Sequence, residues 1–197
     1  MPSIQTLVAD LQNRTIVGIG AKPPSNVTNL ESEISQTCRV RYAFVHMNAT
    51  ISQGNRLSCA EAQVSANFNG SYLHFMDGWS TVANMDTNRR IVASGNFSGC
   101  AYKVYRSDQP ATFKCAHIAR PGGAGSDALV NLMAGYAGQK KWTELQSIST
   151  AGHIGVNGCA EVFVVSQLFW NQRIDTVVLD IDNRGLTVGS TLHSVAI

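Results

Sequence analysis

The stretch Ser94-Gly-Asn-Phe-Ser-Gly-Cys100, followed by Cys115-Ala-His117, holds the residue types of a cysteine nucleophile and its base. A thiol attacks as thiolate, so it needs a base to take its proton, and the base needs an acceptor to fix its tautomer and orientation. Cys100 opens the alternating run Ala101-Tyr-Lys-Val-Tyr105, Arg106-Ser-Asp-Gln-Pro110 reads as a turn, and Ala111-Thr-Phe-Lys-Cys-Ala-His-Ile118 reads as the returning strand. Two antiparallel neighbours of that length bring His117 back beside Cys100, and alternation places Phe113, Cys115 and His117 on one face. Ser94 lies six residues before the thiol, at the end of Arg90-Ile-Val-Ala93. A loop of that size returns its hydroxyl to the imidazole as the orienting third member. Gly95 and Gly99 are read as residues that let the chain bend sharply and present the Gly99 and Cys100 N–H groups to a developing oxyanion. On this reading Cys100 is the one cysteine with a lowered pKa.

These residues resemble the glutamine deamidases: the catalytic domain of the cytotoxic necrotizing factors, Burkholderia lethal factor and the chemoreceptor deamidases. The resemblance rests on Ser98-Gly99-Cys100, a hydroxyl residue six positions before the cysteine and a histidine 17 residues after it, and it covers residues 90 to 122. The Ser-Gly-Cys order is closer to the toxin branch than to the chemoreceptor branch. In the family the third member is often threonine, or is replaced by a backbone carbonyl, where this chain has Ser94. The resemblance implies hydrolytic deamidation of a glutamine side chain on a target protein, with no cofactor. Cys100 would attack the carboxamide carbon, and His117 would pass the thiol proton to the leaving ammonia. It also implies a β-sandwich, and a bacterial toxin or effector made in the bacterial cytoplasm and delivered into a host cell.

Other chemistries share these residues. An amine in place of water makes the site a transglutaminase, and an extended cleft would make it a cysteine peptidase. A noncatalytic β-sandwich binding domain would keep the strands around a buried Cys100, since free cysteine usually behaves as a small hydrophobe and a neighbouring glycine can mark a bulge.

The elements that must position such a site follow from composition and periodicity. With 197 residues and only 14% of them charged, the chain predicts one compact catalytic domain spanning residues 1–197, strand-rich and monomeric. A net charge of +2 gives no footprint for nucleic acid or an anionic membrane. Residues 1 to 20 hold no long apolar core, so neither a secretory signal nor a membrane span is expected there. Five cysteines, at 38, 59, 100, 115 and 159, lack CxxC spacing, which argues against structural zinc and a dense disulfide framework. A hairpin disulfide between Cys100 and Cys115 is the rival pairing. Five Asn-x-Ser/Thr matches, at Asn13, Asn26, Asn48, Asn69 and Asn96, are read as chance. Asp180-Ile-Asp182-Asn183-Arg-Gly185 reads as a hairpin turn rather than a calcium loop. No metal is assigned to His46, His74, His153 or His193.

Ile4, Leu7, Val8 and Leu11 share one helical face behind Ser3 as cap, and Thr15 to Gly20 reads as a strand. Residues from Pro23-Pro24 to Glu31 read as loop. Arg39 to His46, Glu61 to Asn67 and Tyr72 to Met76 alternate as strands, and Asp77-Gly78 makes a turn. Arg120 to Gly125 predicts a turn beside the site, without the pattern of a phosphate cradle. Ser126-Asp127 is read as the cap of a helix with Leu129, Val130, Leu132 and Met133 on its apolar face. Trp142 to Ile148, Ala160 to Phe169, Asp175 to Ile181 and Leu186 to Val195 follow as strands. The fold class expected is α+β, a β-sandwich of mixed sheets flanked by helices.

Overall fold

Runs of alternating β-branched and aromatic residues bury one face each and must pair along their edges, and here they do so into a single large sheet. The computed structural model describes residues 7–13, 18–19, 29–34, 39–52, 55–62, 68–108, 112–120 and 127–197. Helix α1 (Leu7–Asn13) precedes β1 (Gly18–Ile19), β2 (Asn29–Ile34), β3 (Arg39–Ser52), β4 (Arg56–Glu61), β5 (Gly70–Leu73), β6 (Ser80–Met85) and β7 (Ile91–Phe97). The hairpin of β8 (Ala101–Arg106) and β9 (Phe113–Ile118) leads into helix α2 (Ala128–Gln139). Strands β10 (Thr143–Ser149), β11 (Glu161–Phe169), β12 (Arg173–Ile181) and β13 (Thr187–Ala196) complete the order.

The main path runs β10-β8-β9-β6-β3-β5-β7-β11-β12-β13, with β2 and β4 on β3 and β1 on β4. The pairing is mixed, with β3–β6 and β5–β7 parallel and the rest of the path antiparallel. The two ends of the path face each other. Gln146 on β10 donates from Nε2 to the carbonyls of Ile174 (3.3 Å) and His193 (3.2 Å), and accepts at Oε1 from Thr176 Oγ1. Side chains rather than a backbone ladder thus bring the sheet close to closure.

Closure explains why one apolar cluster draws on all ten strands of the path. Phe44, Leu73, Met85, Val92, Tyr102, Cys115, Ile148, Val164 and Val178 meet there, with Val188 and Val195 packed against them. The alternate residues of the same strands point the other way. Phe163, Val165, Val177 and Leu179 meet Leu7, Val8 and Leu11 of α1, while Ala101, Tyr105, Ala116 and Ile118 meet Met133, Tyr136 and Ala137 of α2. Strands buried on both faces read as continuous apolar runs, as β11 and β12 do.

Several expectations shift. Strand β2 begins at Asn29, inside the stretch read as loop, because residues 29–34 pair with β3. Strand β3 continues past His46 to Ser52, since its second half pairs with β5 on one edge and β4 on the other. The strand predicted from Glu61 lies earlier, at Arg56–Glu61. Residues 63–67, the Ser3 cap with Ile4, most of the Thr15 to Gly20 strand and Ser126 lie outside the described residues. Asp127 makes no capping bond to α2, because its Oδ1 accepts from Arg120 Nη2 at 2.7 Å. Leu132 is 39% exposed, so the buried stripe of α2 is Met133, Tyr136 and Ala137.

Gly95 also has a different reason from the one its bend suggested. A Cβ there would stand 2.4 Å from Phe163 Cδ2 and 3.2 Å from Tyr72 Oη, so the ring of Phe163 occupies the place of a side chain. Gly95→Ala is expected to destabilise the fold by roughly 1–3 kcal/mol in urea unfolding, the usual cost of overpacking. Adding Phe163→Leu to Gly95→Ala should return part of that loss; no recovery would show that the ring is not what excludes the methyl group.

Candidate active site

Strand β7 carries one residue more than its partner between paired positions: Ser94 faces Val164 and Phe97 faces Val162. The extra residue makes a β-bulge, and Asn96 takes it up at φ 63°, a backbone angle asparagine tolerates better than most. Strict alternation would put Ser94 and Phe97 on opposite faces. The bulge puts both inside the sheet, and both touch His117.

His117 on β9 lies opposite Tyr102 of β8 and Thr81 of β6. Its ring stacks on Phe97, with centroids 3.7 Å apart and 12° between planes, and Phe75 tilts against it at 5.3 Å. Phe75 is 45% exposed while His117 is 1% exposed, so this ring stands between the imidazole and solvent. Ser94 Oγ lies 3.0 Å from His117 Nδ1 and donates to the carbonyl of Leu73 at 2.8 Å. A hydroxyl has one proton, and that proton is given to Leu73. Ser94 therefore accepts from Nδ1–H, and Nε2 is the unprotonated nitrogen. Nε2 is buried and has no hydrogen-bond partner among the described residues.

Cys100 directly precedes β8 and stands on the same inner face as Tyr102 and His117, two residues along the hairpin from the Tyr102–His117 pair. Diagonal neighbours of this kind lie within reach of longer side chains. Thiol and imidazole share the face without a hydrogen bond between them. The N–H groups of Ser98 and Arg120 are directed at the sulfur, and Thr150 holds the Cys100 carbonyl through both its N–H (3.1 Å) and its hydroxyl (2.7 Å). Gly99 sits at φ 126°, where only glycine is comfortable, and this turns the chain from β7 into β8. Among the described residues the N–H groups of Gly99 and Cys100 have no hydrogen-bond partner.

Electrostatics correct one expectation. The Cys100 pKa is raised rather than lowered: burial outweighs the Arg120 and Ser98 N–H groups and the Arg120 charge, and Asp77 adds to the rise. Burial pushes Cys115 up to about 12 and His117 down to about 3. The resting pair is thus a neutral thiol and a neutral imidazole. Cys100 and Cys115 are both free, and Cys115 faces Val104 rather than Cys100, so the hairpin disulfide does not form.

The site also holds groups that spacing did not disclose. The Leu73 carbonyl, Phe75, Phe97 and Thr150 had no motif to flag them, while Arg120, at the start of the turn expected beside the site, donates to Ser149 Oγ and Asp127. Gly95 and Gly99 suggested a bend in this stretch, and neither located the bulge at Asn96 that brings Phe97 inward. Residues 121–126, the rest of the turn expected beside the site, lie outside the described residues. No cluster of three or more His, Cys, Asp or Glu side chains able to hold a metal occurs among the described residues. No family model matches the sequence, and no curated protein matches it.

A neutral buried histidine makes stability depend on pH. In the unfolded chain the imidazole takes a proton near pH 6.5, while in the fold it stays neutral to about 3. Between those values the unfolded state binds the extra proton, so this contribution is complete above pH 6.5 and is lost as pH falls. Unfolding free energy should show an acid slope containing about 1.4 kcal/mol per pH unit from this group, and His117→Asn should flatten it by that amount whatever its effect at neutral pH. An unchanged slope would mean that His117 is not held neutral.

Proposed function

We propose that this chain is a protein glutamine deamidase with a Cys100–His117–Ser94 site, of the kind its sequence resembles, acting as a toxin or effector on a host protein. The observation that carries the reading is the pair of hydrogen bonds at Ser94, which leaves Nε2 of His117 as a free base on the face that Cys100 shares. In the proposed reaction the Cys100 sulfur attacks the carboxamide carbon of a glutamine side chain, and His117 Nε2 takes the thiol proton as the bond forms. The proton goes to the departing ammonia, and water, deprotonated by the same nitrogen, releases glutamate from the thioester. The N–H groups of Gly99 and Cys100, which have no partner among the described residues, support a role for them as donors to the oxyanion. No cofactor or metal enters this scheme. The two faces of the sheet, with α1 and α2 outside it, support the further proposal of a sandwich flanked by helices, whose open ends would admit a protein substrate.

Cys100→Ser and His117→Ala should each abolish ammonia release from a glutamine-bearing target, and the double variant should be no worse than either. Cys115→Ala should retain activity, as its thiol is buried and strongly raised in pKa. A dead Cys115→Ala beside an active Cys100→Ser would identify the wrong nucleophile.

Ser94→Ala keeps the base but frees its ring. Activity should fall by roughly ten- to a hundredfold, about 1.4 to 2.7 kcal/mol, while Ser94→Thr keeps most of it. Because His117 remains neutral far below the usual imidazole range, kcat/KM should show no acid limb near pH 6.5 and should rise as the thiol begins to ionise. A half-activity point near pH 6.5 that vanishes in Ser94→Ala would contradict this arrangement.

A further inference from the structure

Strand β7 runs toward the candidate site and β8 away from it, and the start of β7 and the end of β8 flank a cavity of about 380 Å³. Arg106, six residues beyond Cys100, lies roughly 20 Å from it at the usual rise of a strand. The cavity is walled by Arg90, Arg106, Phe113, Leu168, Phe169 and Trp170, among others, and no aspartate or glutamate lines it among the described residues. That size and that mixture of aromatic wall with few polar groups suit a small organic ligand.

Arg90 is the informative residue. It is 6% exposed, yet no carboxylate pairs with it among the described residues. Its Nε donates to the Thr87 carbonyl and its Nη1 to that of Leu168, both at 3.2 Å, and its guanidinium carbon lies 3.1 Å from the centre of the Trp170 ring. These contacts fix the plane of the fork and leave Nη2 without a hydrogen-bond partner among the described residues. A largely buried guanidinium held in one plane, with no carboxylate beside it among the described residues, favours an anion that completes it. Arg106 adds a second positive charge at the wall, exposed and without an ion pair among the described residues. Trp170, 65% exposed, offers an aromatic face at the mouth.

We propose that this cavity binds a small aromatic carboxylate, its ring against Phe113, Phe169 and Trp170 and its carboxylate between Arg90 and Arg106. Arginine forks match carboxylate geometry, and the aromatic wall selects a planar apolar body. The site is independent of the deamidase reading.

The test is a titration followed by the Trp170 indole N–H and Arg90 Nε–H signals in nitrogen-15 NMR. Sodium benzoate is the probe, benzamide its neutral counterpart and inorganic phosphate the charge without a ring. Benzoate should shift both signals saturably and bind at least about tenfold tighter than either control. Arg106→Gln, an exposed change that spares the fold, should weaken benzoate about tenfold, and Cys100→Ser should leave it unchanged. Shifts that do not saturate, equal binding of benzoate and benzamide, equal binding of benzoate and phosphate, or unaltered affinity in both Arg106→Gln and Trp170→Ala would overturn the proposal.

Discussion

A serine hydroxyl can give only one hydrogen, and in this protein it gives it to the carbonyl of Leu73. Everything at the candidate site depends on that commitment. It obliges Ser94 to accept from Nδ1 of His117, which decides which imidazole nitrogen carries the proton and which is free. A hydroxyl with a rotatable proton would leave the tautomer to chance. Strand β5 supplies the carbonyl, β7 the hydroxyl and β9 the ring, so three non-consecutive strands must be in register for the arrangement to exist.

That register is held by the sheet as a whole. The inner cluster takes residues from every strand of the main path, and a buried polar chain from Tyr102 through Ser166 to Thr176 and Gln146 runs through it. Each hydroxyl in the chain has a partner, and a slip of one residue would turn those partners to the opposite face. The polar chain specifies the pairing as firmly as the apolar packing does. It also shows why Cys115 is unlike Cys100: the first sits among these interior groups, the second at a strand end beside a turn.

Much of this was legible in the sequence. The hairpin of β8 and β9, the face shared by Phe113, Cys115 and His117, and the four C-terminal strands follow from alternation and turn residues. The Asp182 to Gly185 turn is closed as its composition suggests, with Asp182 Oδ1 accepting from the Arg184 and Leu186 N–H groups. What stayed hidden depends on contacts far apart in the chain. Phe97 is the clearest case, because alternation assigns it the wrong face and only the bulge against β11 reverses it. The pKa of Cys100 is another: local donors suggested a lowered value, but burial by residues remote in sequence outweighs them. Gly95 was visible as a residue that matters, while its reason, the Phe163 ring, lies 68 positions away.

The seam where β10 meets β12 and β13 gives the sheet a property that a fully laddered barrel lacks. Gln146 spans it with one side chain, so among the described residues parting the two edges there breaks three hydrogen bonds and some apolar contact around Ile148 and leaves the backbone ladders intact. Such an opening is a small, reversible breathing motion, far below global unfolding in free energy. It would expose two strand edges with free main-chain donors and acceptors at the same moment. An extended segment of another chain could pair with those edges, so the hinge-like seam is also where this molecule is most open to strand exchange.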